Sequence, residues 1–268
     1  MKNHNSDQNF TSSFSGLLDL VKYLRSDSGC PWDREQSSQS LTPMMLDETY
    51  ELISAIESSH HSEIVEELGD VLLHIAFQIE IAEAEQSFSE SDVFSAVISK
   101  YVNRHPHVFA DESFESTEEL KQKWEESKRK EKNNDRESIL DGIPASQPGL
   151  SHSQTLQSRA SHAGFDWDDL TGVREKINEE LDELENSENM AETTEEFGDL
   201  LFTLVSYGRK MDLDVEQALR FANVKFIDRF VKMEMLAKQR SQEFVELSIE
   251  EKDELWNTVK SGETPHSE

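Results

Sequence analysis

Residues 66–77 read EELGDVLLHIAF, and residues 195–206 read EEFGDLLFTLVS. In both stretches two glutamates, a large apolar residue, a glycine and an aspartate precede an apolar run. The apolar residues recur at three- and four-residue spacing, which is typical of an amphipathic helix. Glycine inside a helix costs about 1 kcal/mol relative to alanine, so Gly69 and Gly198 need a reason. Close approach of a neighbouring helix or a ligand to the backbone would provide one.

The remaining sequence continues this helical pattern. It contains six prolines and ten glycines in 268 residues, and few of the β-branched alternations that indicate strands. We therefore predict an all-α protein. Helices are expected near residues 14–26, 42–58, 63–85, 90–104, 116–131, 152–162, 170–187, 191–210, 214–239 and 248–260.

Four landmarks occur twice in the same order, the second copy 125 to 132 residues after the first. The pairs are Glu48 and Glu51 with Glu180 and Glu183, Asp70 with Asp199, Lys100 and Arg104 with Lys225 and Arg229, and Trp124 and Lys128 with Trp256 and Lys260. This order predicts a tandem duplication of a helical unit. Because residues 136–153 contain two prolines and two glycines, we predict an N-terminal module at 14–132, a linker at 133–152 and a C-terminal module at 153–262.

Acidic pairs border the apolar stripes of the repeated helices. At about 100° per residue, Glu196 and Asp199 lie on one flank of the stripe, and Glu67 and Asp70 repeat the arrangement. Any single pair is expected by chance among 56 acidic residues, and most such pairs are solvated. Carboxylates at the edge of a core, however, repel one another and are costly to desolvate unless a cation joins them.

A second helix that carries Glu180 and Glu183 could face the first, with Glu179 and Glu195 at the rim. Hard oxygen ligands of this kind suit Mg²⁺ or Mn²⁺, which share their remaining positions with water and substrate phosphates. The sequence therefore predicts a divalent metal site in the C-terminal module.

Downstream, Lys225 and Arg229 lie four residues apart and so share one helical face. Cations of this kind can hold phosphate oxygens, and a tryptophan can stack on a base. Trp256 and Lys260 follow with the same spacing. Ordinary surface charge and a core aromatic remain alternatives, but together with the acids these residues indicate a nucleoside triphosphate site.

The balance of 26 basic and 56 acidic residues gives a formal charge of -30. This charge repels nucleic acids and anionic membranes, so neither is expected as a partner. The N-terminal residues lack the pattern of a signal peptide, and the single cysteine, Cys30, fits a reducing compartment. We therefore expect a cytoplasmic protein.

Several stretches together resemble the MazG family of nucleoside triphosphate pyrophosphohydrolases. They are GCPWDREQ (29–36), LDETYEL (46–52), EELGD (66–70), RHPHVFAD (104–111), GFDWDDL (164–170), NEELDEL (178–184), EEFGDLLF (195–202) and KFIDRF (225–230). The resemblance covers roughly residues 14–262. It implies the all-α NTP pyrophosphatase fold with two tandem MazG-like helical-bundle modules, usually in a homodimer, and Mg²⁺-dependent hydrolysis of NTPs and dNTPs to the monophosphate and pyrophosphate, with Mn²⁺ as a possible substitute.

The resemblance also implies roles for individual residues, with the C-terminal module active and the N-terminal module mainly structural. Metal ligands or their close neighbours would be Glu179, Glu180, Glu183, Glu195, Glu196 and Asp199. Glu180 or Glu196 would orient or deprotonate the attacking water. The nucleotide would be held by Lys176, Lys225, Arg229, Trp256 and Lys260.

The N-terminal copy departs from this pattern, with Asp47 in place of Glu179 and Met44 in place of Lys176. Catalysis there is therefore in doubt, although Glu48, Glu51, Glu67 and Asp70 could still bind a metal. Two rival classes remain open. The first is a di-iron carboxylate bundle, which needs Glu-x-x-His on two helices; His74 follows Asp70 by four residues but is expected to be a core histidine with its hydrogen bonds satisfied. The second is a non-catalytic, regulatory nucleotide-binding protein.

Overall fold

The computed structural model describes residues 10–110, 116 and 138–262. All regular elements in these residues are helical, which confirms the predicted all-α class. The chain divides into two compact units, Met1–Glu131 and Lys132–Glu268. Among the helices described, none combines the length and the apolar character that spanning a membrane requires.

The N-terminal unit is built around one long central helix. Its helices are α1 (Phe14–Leu24), α2 (Pro31–Glu35), α3 (Thr42–Ser58), α4 (His61–Ala84), α5 (Glu90–Arg104) and α6 (Pro106–Phe109). Both α1 and α3 pack against α4. Apolar residues at helical spacing on α4, among them Ala76, Phe77 and Ile81, form the core with Val21 and Leu41.

The C-terminal unit repeats this central arrangement. Its helices are α7 (Gly149–His162), α8 (Leu170–Asn186), α9 (Met190–Lys210), α10 (Val215–Gln239) and α11 (Ile249–Ser261), with a 3₁₀ turn at Phe244–Glu246. Both α7 and α8 pack against α9, and α10 packs against α11. A separate apolar cluster of Met233, Ala237, Leu255 and Val259 joins α10 to α11.

The observed helices follow the sequence predictions to within a few residues, with two differences. The one-turn helices α2 and α6 and the 3₁₀ turn were not expected, because elements this short show no periodicity; α2 and α6 begin with proline, which is favoured at the first helical position. Helix α7 begins at Gly149, inside the stretch predicted as linker. The helix predicted at 116–131 lies outside the described residues except for Ser116.

The start of α8 is fixed by a tryptophan. A Cβ added at Gly172 would lie 2.8 Å from Cδ1 of Trp167, so any side chain there would displace the indole ring. The Asp169 carboxylate caps the same end by accepting hydrogen bonds from the backbone N–H groups of Thr171 and Gly172. Together these contacts set the position of α8, the helix that carries the predicted acids Glu180 and Glu183.

Candidate active site

In the C-terminal unit, packing of α8 against α9 brings three predicted acids together. Carboxylate oxygens of Glu180, Glu183 and Glu196 all lie within 4.8 Å of one another. Glu180 and Glu183 are neighbours on α8, and Glu196 projects from the first half of α9, which is capped by the Asn189 side chain. We call these three residues the C-terminal cluster.

One member of the C-terminal cluster is deeply buried. Only 3% of Glu180 is exposed, whereas Glu183 is exposed and Glu196 is half-buried. Removing a carboxylate from water costs several kcal/mol unless a counter-charge is close. The buried position of Glu180 therefore requires a cation.

Lys176, one turn before Glu180 on α8, is that cation. Its Nζ lies 2.7 Å from Oε1 of Glu179, 2.8 Å from Oε1 of Glu180 and 3.9 Å from Oε2 of Glu183. Hydrogen bonds to Glu179 and Glu180 raise the pKa of the Lys176 ammonium. The structure thus places Lys176 on the carboxylates, as a bound internal counter-ion.

The acids around Glu196 still repel it. Partial desolvation, followed by the charges of Glu183, Glu180, Asp199 and Glu195, raises the pKa of the Glu196 carboxyl above its ordinary value. Asp199 and Glu195 are both exposed and lie outside the set of three converging oxygens. They form an acidic rim around the cluster, close enough to act on Glu196 electrostatically.

The N-terminal unit contains a matching set of acids. Oxygens of Glu48 on α3 and of Glu67 and Asp70 on α4 lie within 4.8 Å of one another. We call these three the N-terminal cluster. Glu51 is exposed and acts on the cluster electrostatically: desolvation and then the charges of Glu51, Glu48, Glu66 and Asp70 raise the pKa of Glu67.

His74 on α4 lies beside one acid of the N-terminal cluster, Glu48. Its Nε2 lies 3.9 Å from Oε1 of Glu48, and only 8% of the residue is exposed. The buried Nδ1 has no hydrogen-bond partner. The expectation of a core histidine with satisfied hydrogen bonds was therefore wrong: the residue is buried, but its ring is not satisfied. The signal that could have revealed its placement is its spacing, because residues 67, 70 and 74 share one stripe of a helix.

The predicted phosphate-binding cations line a different surface. Lys225, Arg229 and Lys260 border a groove of about 1350 Å³ between α10 and α11. The residues that line this groove include neither the clustered acids nor Lys176. Within the described part of one chain, the structure thus brings the three cations to one groove and Lys176 to the acids.

Trp256 contributes less directly to this groove. The Arg229 guanidinium carbon lies 5.3 Å from the centroid of its indole ring, within the range of a cation–π contact. The indole also packs 5.7 Å from the ring of Phe226 and against the apolar cluster of α10 and α11. The half-buried Trp256 ring thus contacts Arg229 and can orient its guanidinium. Trp256 is not itself among the residues that line the groove.

The two helix glycines are not explained by packing against the residues that the structure describes. A Cβ added at Gly69 or at Gly198 would meet no atom within 4 Å. Of the two expected reasons, approach of a neighbouring helix or of a ligand, close packing against a described helix of this chain is therefore wrong. The space beside both glycines is open, and the approach of a ligand there stays a prediction.

Comparison with known proteins gives a family for this arrangement. A profile of the MazG nucleotide pyrophosphohydrolase domain matches residues 36–109, within the N-terminal unit. The chain is 42% identical over 250 residues to the nucleoside triphosphate pyrophosphohydrolase/pyrophosphatase MazG of Thermotoga maritima, covering 93% of this chain and 96% of that protein. It is 38% identical over 254 residues to the nucleoside triphosphate pyrophosphohydrolase of Escherichia coli K12, covering 92% and 97%.

A third relative shares the sequence within a longer chain. The uncharacterized protein YabN of Bacillus subtilis is 39% identical over 257 residues, which cover 93% of this chain and 52% of YabN. Two helical units with acid clusters on packed helices, together with near-full-length identity to named members, establish the class. The chain belongs to the MazG family, as the sequence resemblance indicated.

Proposed function

We propose that this chain is a nucleoside triphosphate pyrophosphohydrolase that converts NTPs and dNTPs to the monophosphate and pyrophosphate, and that its C-terminal module performs the reaction. The names of the T. maritima and E. coli relatives support the activity. The observation that carries the assignment to the C-terminal module is that Glu180, only 3% exposed, converges with Glu183 and Glu196, whereas the acids of the N-terminal cluster are all half-buried.

The donor set of the C-terminal cluster fits a hard divalent cation. Three carboxylates converge and one is buried, and desolvation followed by the charges of the neighbouring acids raises the pKa of Glu196, so added positive charge would stabilise them. Mg²⁺ takes oxygen ligands and keeps several waters, which leaves room for substrate phosphates. We therefore propose Mg²⁺ as the natural ion, held by Glu180, Glu183 and Glu196 with Asp199, Glu179 and Glu195 close by, and Mn²⁺ as a substitute.

Bound divalent ions would supply Lewis acidity to the phosphate oxygens and lower the pKa of a water. Glu196 is the residue best placed to orient that water and accept its proton, because it is half-buried and, unlike Glu180, forms no ion pair with Lys176. The water oxygen forms a bond to the α-phosphorus, and the bond between that phosphorus and the α–β bridging oxygen breaks. The leaving group is pyrophosphate.

The groove between α10 and α11 is proposed as the nucleotide-binding surface. Lys225, Arg229 and Lys260 give it positive charge on an otherwise acidic chain. Arginine and lysine there would hold phosphate oxygens and offset charge on the departing pyrophosphate. Trp256 would position Arg229 through their stacking contact.

We further propose that the enzyme works as a homodimer in the cytoplasm, without a nucleic acid or membrane partner. Many apolar residues of α10 outside the groove are exposed, including Leu219, Ile227 and Val231, and extended apolar faces usually mark an association site. A second copy covering α10 would also bring additional side chains to the groove. Sedimentation of the purified chain at micromolar concentration should give twice the mass of one chain.

The central test is pyrophosphate release from Glu196→Gln with Mg²⁺ present. We expect the rate to fall by about 10²-fold or more, because the variant loses both a metal ligand and a proton acceptor. Glu185→Gln, an exposed acid on the same pair of helices, is the matched control. Normal turnover by Glu196→Gln would refute the site. Nucleotide binding without pyrophosphate release by the unaltered chain would instead favour a regulatory protein.

A further inference from the structure

The ammonium of Lys176 lies among the same carboxylates that are proposed to hold the metal ion. It lies 2.8 Å from Oε1 of Glu180 and 3.9 Å from Oε2 of Glu183, and both glutamates belong to the C-terminal cluster. An ion bound at about 2.1 Å to the same oxygen of Glu180 would lie within about 5 Å of the Lys176 Nζ. The ammonium and the ion would then share a ligand and repel each other.

The two partners of this ion pair differ in their freedom to move. The side chain of Glu180 is only 4% exposed, so its carboxylate is fixed by the surrounding helices, whereas the side chain of Lys176 is 34% exposed. The four-carbon stem of lysine is flexible, and its ammonium is strongly hydrated. An ion that binds Glu180 can therefore displace the ammonium towards solvent while the carboxylate stays in place.

The N-terminal module shows that acids of this arrangement converge without a lysine. Met44 stands at the position that matches Lys176, yet oxygens of Glu48, Glu67 and Asp70 lie within the same 4.8 Å of one another. Packing of two helices is therefore sufficient to bring the acids together. This comparison indicates that Lys176 changes the affinity of the C-terminal cluster for cations more than it changes the geometry of the cluster.

We propose that Lys176 is an internal competitor for the metal ion, and that bound nucleotide relieves this competition by accepting the displaced ammonium. Without nucleotide, the ammonium remains on Glu180 and keeps the affinity for divalent ions low. A triphosphate offers oxygen acceptors to the ammonium, so metal and nucleotide each strengthen the binding of the other. Lys176 is thus a positioning residue that makes metal binding depend on nucleotide. The nucleotide step rests on the proposed function, whereas the competition at Glu180 does not.

The competition is tested by electron paramagnetic resonance of Mn²⁺ without nucleotide. The full-length chain carries Glu67→Gln and Asp70→Asn, so that the N-terminal cluster does not contribute. In this background Lys176→Met should bind Mn²⁺ at least about tenfold more tightly than the parent, because a competing charge is lost. Lys176→Arg keeps the charge and should stay within about threefold of the parent. Equal or weaker binding by Lys176→Met, or no binding by either protein, overturns the proposal.

The nucleotide step is tested with an α,β-methylene triphosphate analogue, in which carbon replaces the bridging oxygen that hydrolysis would release. The analogue should tighten Mn²⁺ binding by the parent at least about tenfold and by Lys176→Met less than about threefold. Equal tightening in the two proteins overturns the coupling. An analogue that binds neither protein contradicts the proposed function and the coupling, while the result of the competition experiment still stands.

If Lys176→Met does not fold, nuclear magnetic resonance of the ¹⁵N-labelled lysine ammonium groups decides. The Lys176 signal of the parent is assigned by its loss in Lys176→Arg. Addition of Mg²⁺ should move this signal towards those of solvated lysines, because the ammonium leaves Glu180. A signal that Mg²⁺ does not change overturns the proposal.

Discussion

The two acid clusters share one geometry but differ in the residue that lies beside their negative charges. Glu48 and Glu180 occupy matching places on α3 and α8, and each converges with acids of the neighbouring helix. Glu180 is neutralised from its own helix by Lys176, while Glu48 is approached from the facing helix by His74. The residue beside the acids thus differs between the two modules, so the acids alone do not define what each module binds.

The largest expected difference between the modules is in turnover. Glu180→Gln should reduce kcat/KM for pyrophosphate release by about 10²- to 10³-fold, because a buried charged ligand is lost. The matching change Glu48→Gln should cost no more than about threefold. Equal losses in steady-state assays at saturating Mg²⁺ would show that both modules contribute to the reaction.

Lys176 and Met44 occupy matching positions in the two modules, and each can be replaced by the residue type of the other. Lys176→Met should lower the free energy of unfolding by about 2 kcal/mol in the presence of a chelator, because buried Glu180 loses its counter-ion. Saturating Mg²⁺ should restore most of this loss. Urea denaturation with and without Mg²⁺ measures both quantities.

Lys238→Met, at an exposed position on α10, is the control for loss of a lysine. A Lys176→Met protein that is as stable as the parent without metal would contradict the counter-ion role. In the other module, Met44→Lys should place an ammonium beside Glu48 and raise the free energy of unfolding in the presence of a chelator.

The modules also differ in how they hold the loop before the first acidic helix. Arg25 in the N-terminal unit donates to the backbone carbonyls of Asp33 and Gln36. In the C-terminal unit the Asp166 carboxylate accepts hydrogen bonds from Arg209 and Lys210. The hydrogen bonds from Arg209 are the largest cause that lowers the pKa of Asp166 from 3.8 to about 2. The contacts of Asp166 therefore depend on a group that titrates in acid, whereas those of Arg25 to backbone carbonyls do not.

Because the folded-state pKa of Asp166 is lowered, its stabilisation is complete above about pH 4 and is lost as the pH falls towards 2. Solvent screening limits this contribution to about 1 kcal/mol. Asp166→Asn should therefore lower the free energy of unfolding at pH 7 by about that amount, with the difference from the parent shrinking below pH 4. Asp168→Asn, two residues on, is the control. A difference that is independent of pH would exclude the ionic contribution.

The smallest effects concern the two glycines. Gly69→Ala and Gly198→Ala should each raise the free energy of unfolding by about 0.5–1 kcal/mol, because alanine favours the helix and its Cβ meets no atom within 4 Å. If a ligand approaches Gly198, only Gly198→Ala should also lower kcat/KM. Unchanged kinetics in both variants would remove the ligand explanation for the repeated glycine.

Much of this architecture follows from sequence periodicity. The spacing of apolar residues predicts the long helices, and the order Glu48 then Asp70, repeated as Glu180 then Asp199, predicts two related units. Convergence of Glu180 with Glu196 was expected because Glu196 borders the apolar stripe of its helix and a second helix carrying Glu180 could face it. The positions of Lys176 and His74 depend on side-chain rotamers and on the facing helix, which the pattern of one helix does not contain.

The ion pair of Lys176 with Glu180 allows the C-terminal module to fold without metal ions. Since Glu180 already has a positively charged partner within its own helix, the newly made chain can complete this part of its structure before any metal arrives. A chelator would then remove the ions and leave the folded C-terminal module intact. Renewed metal binding would then require only that a metal ion replace the Lys176 ammonium beside Glu180.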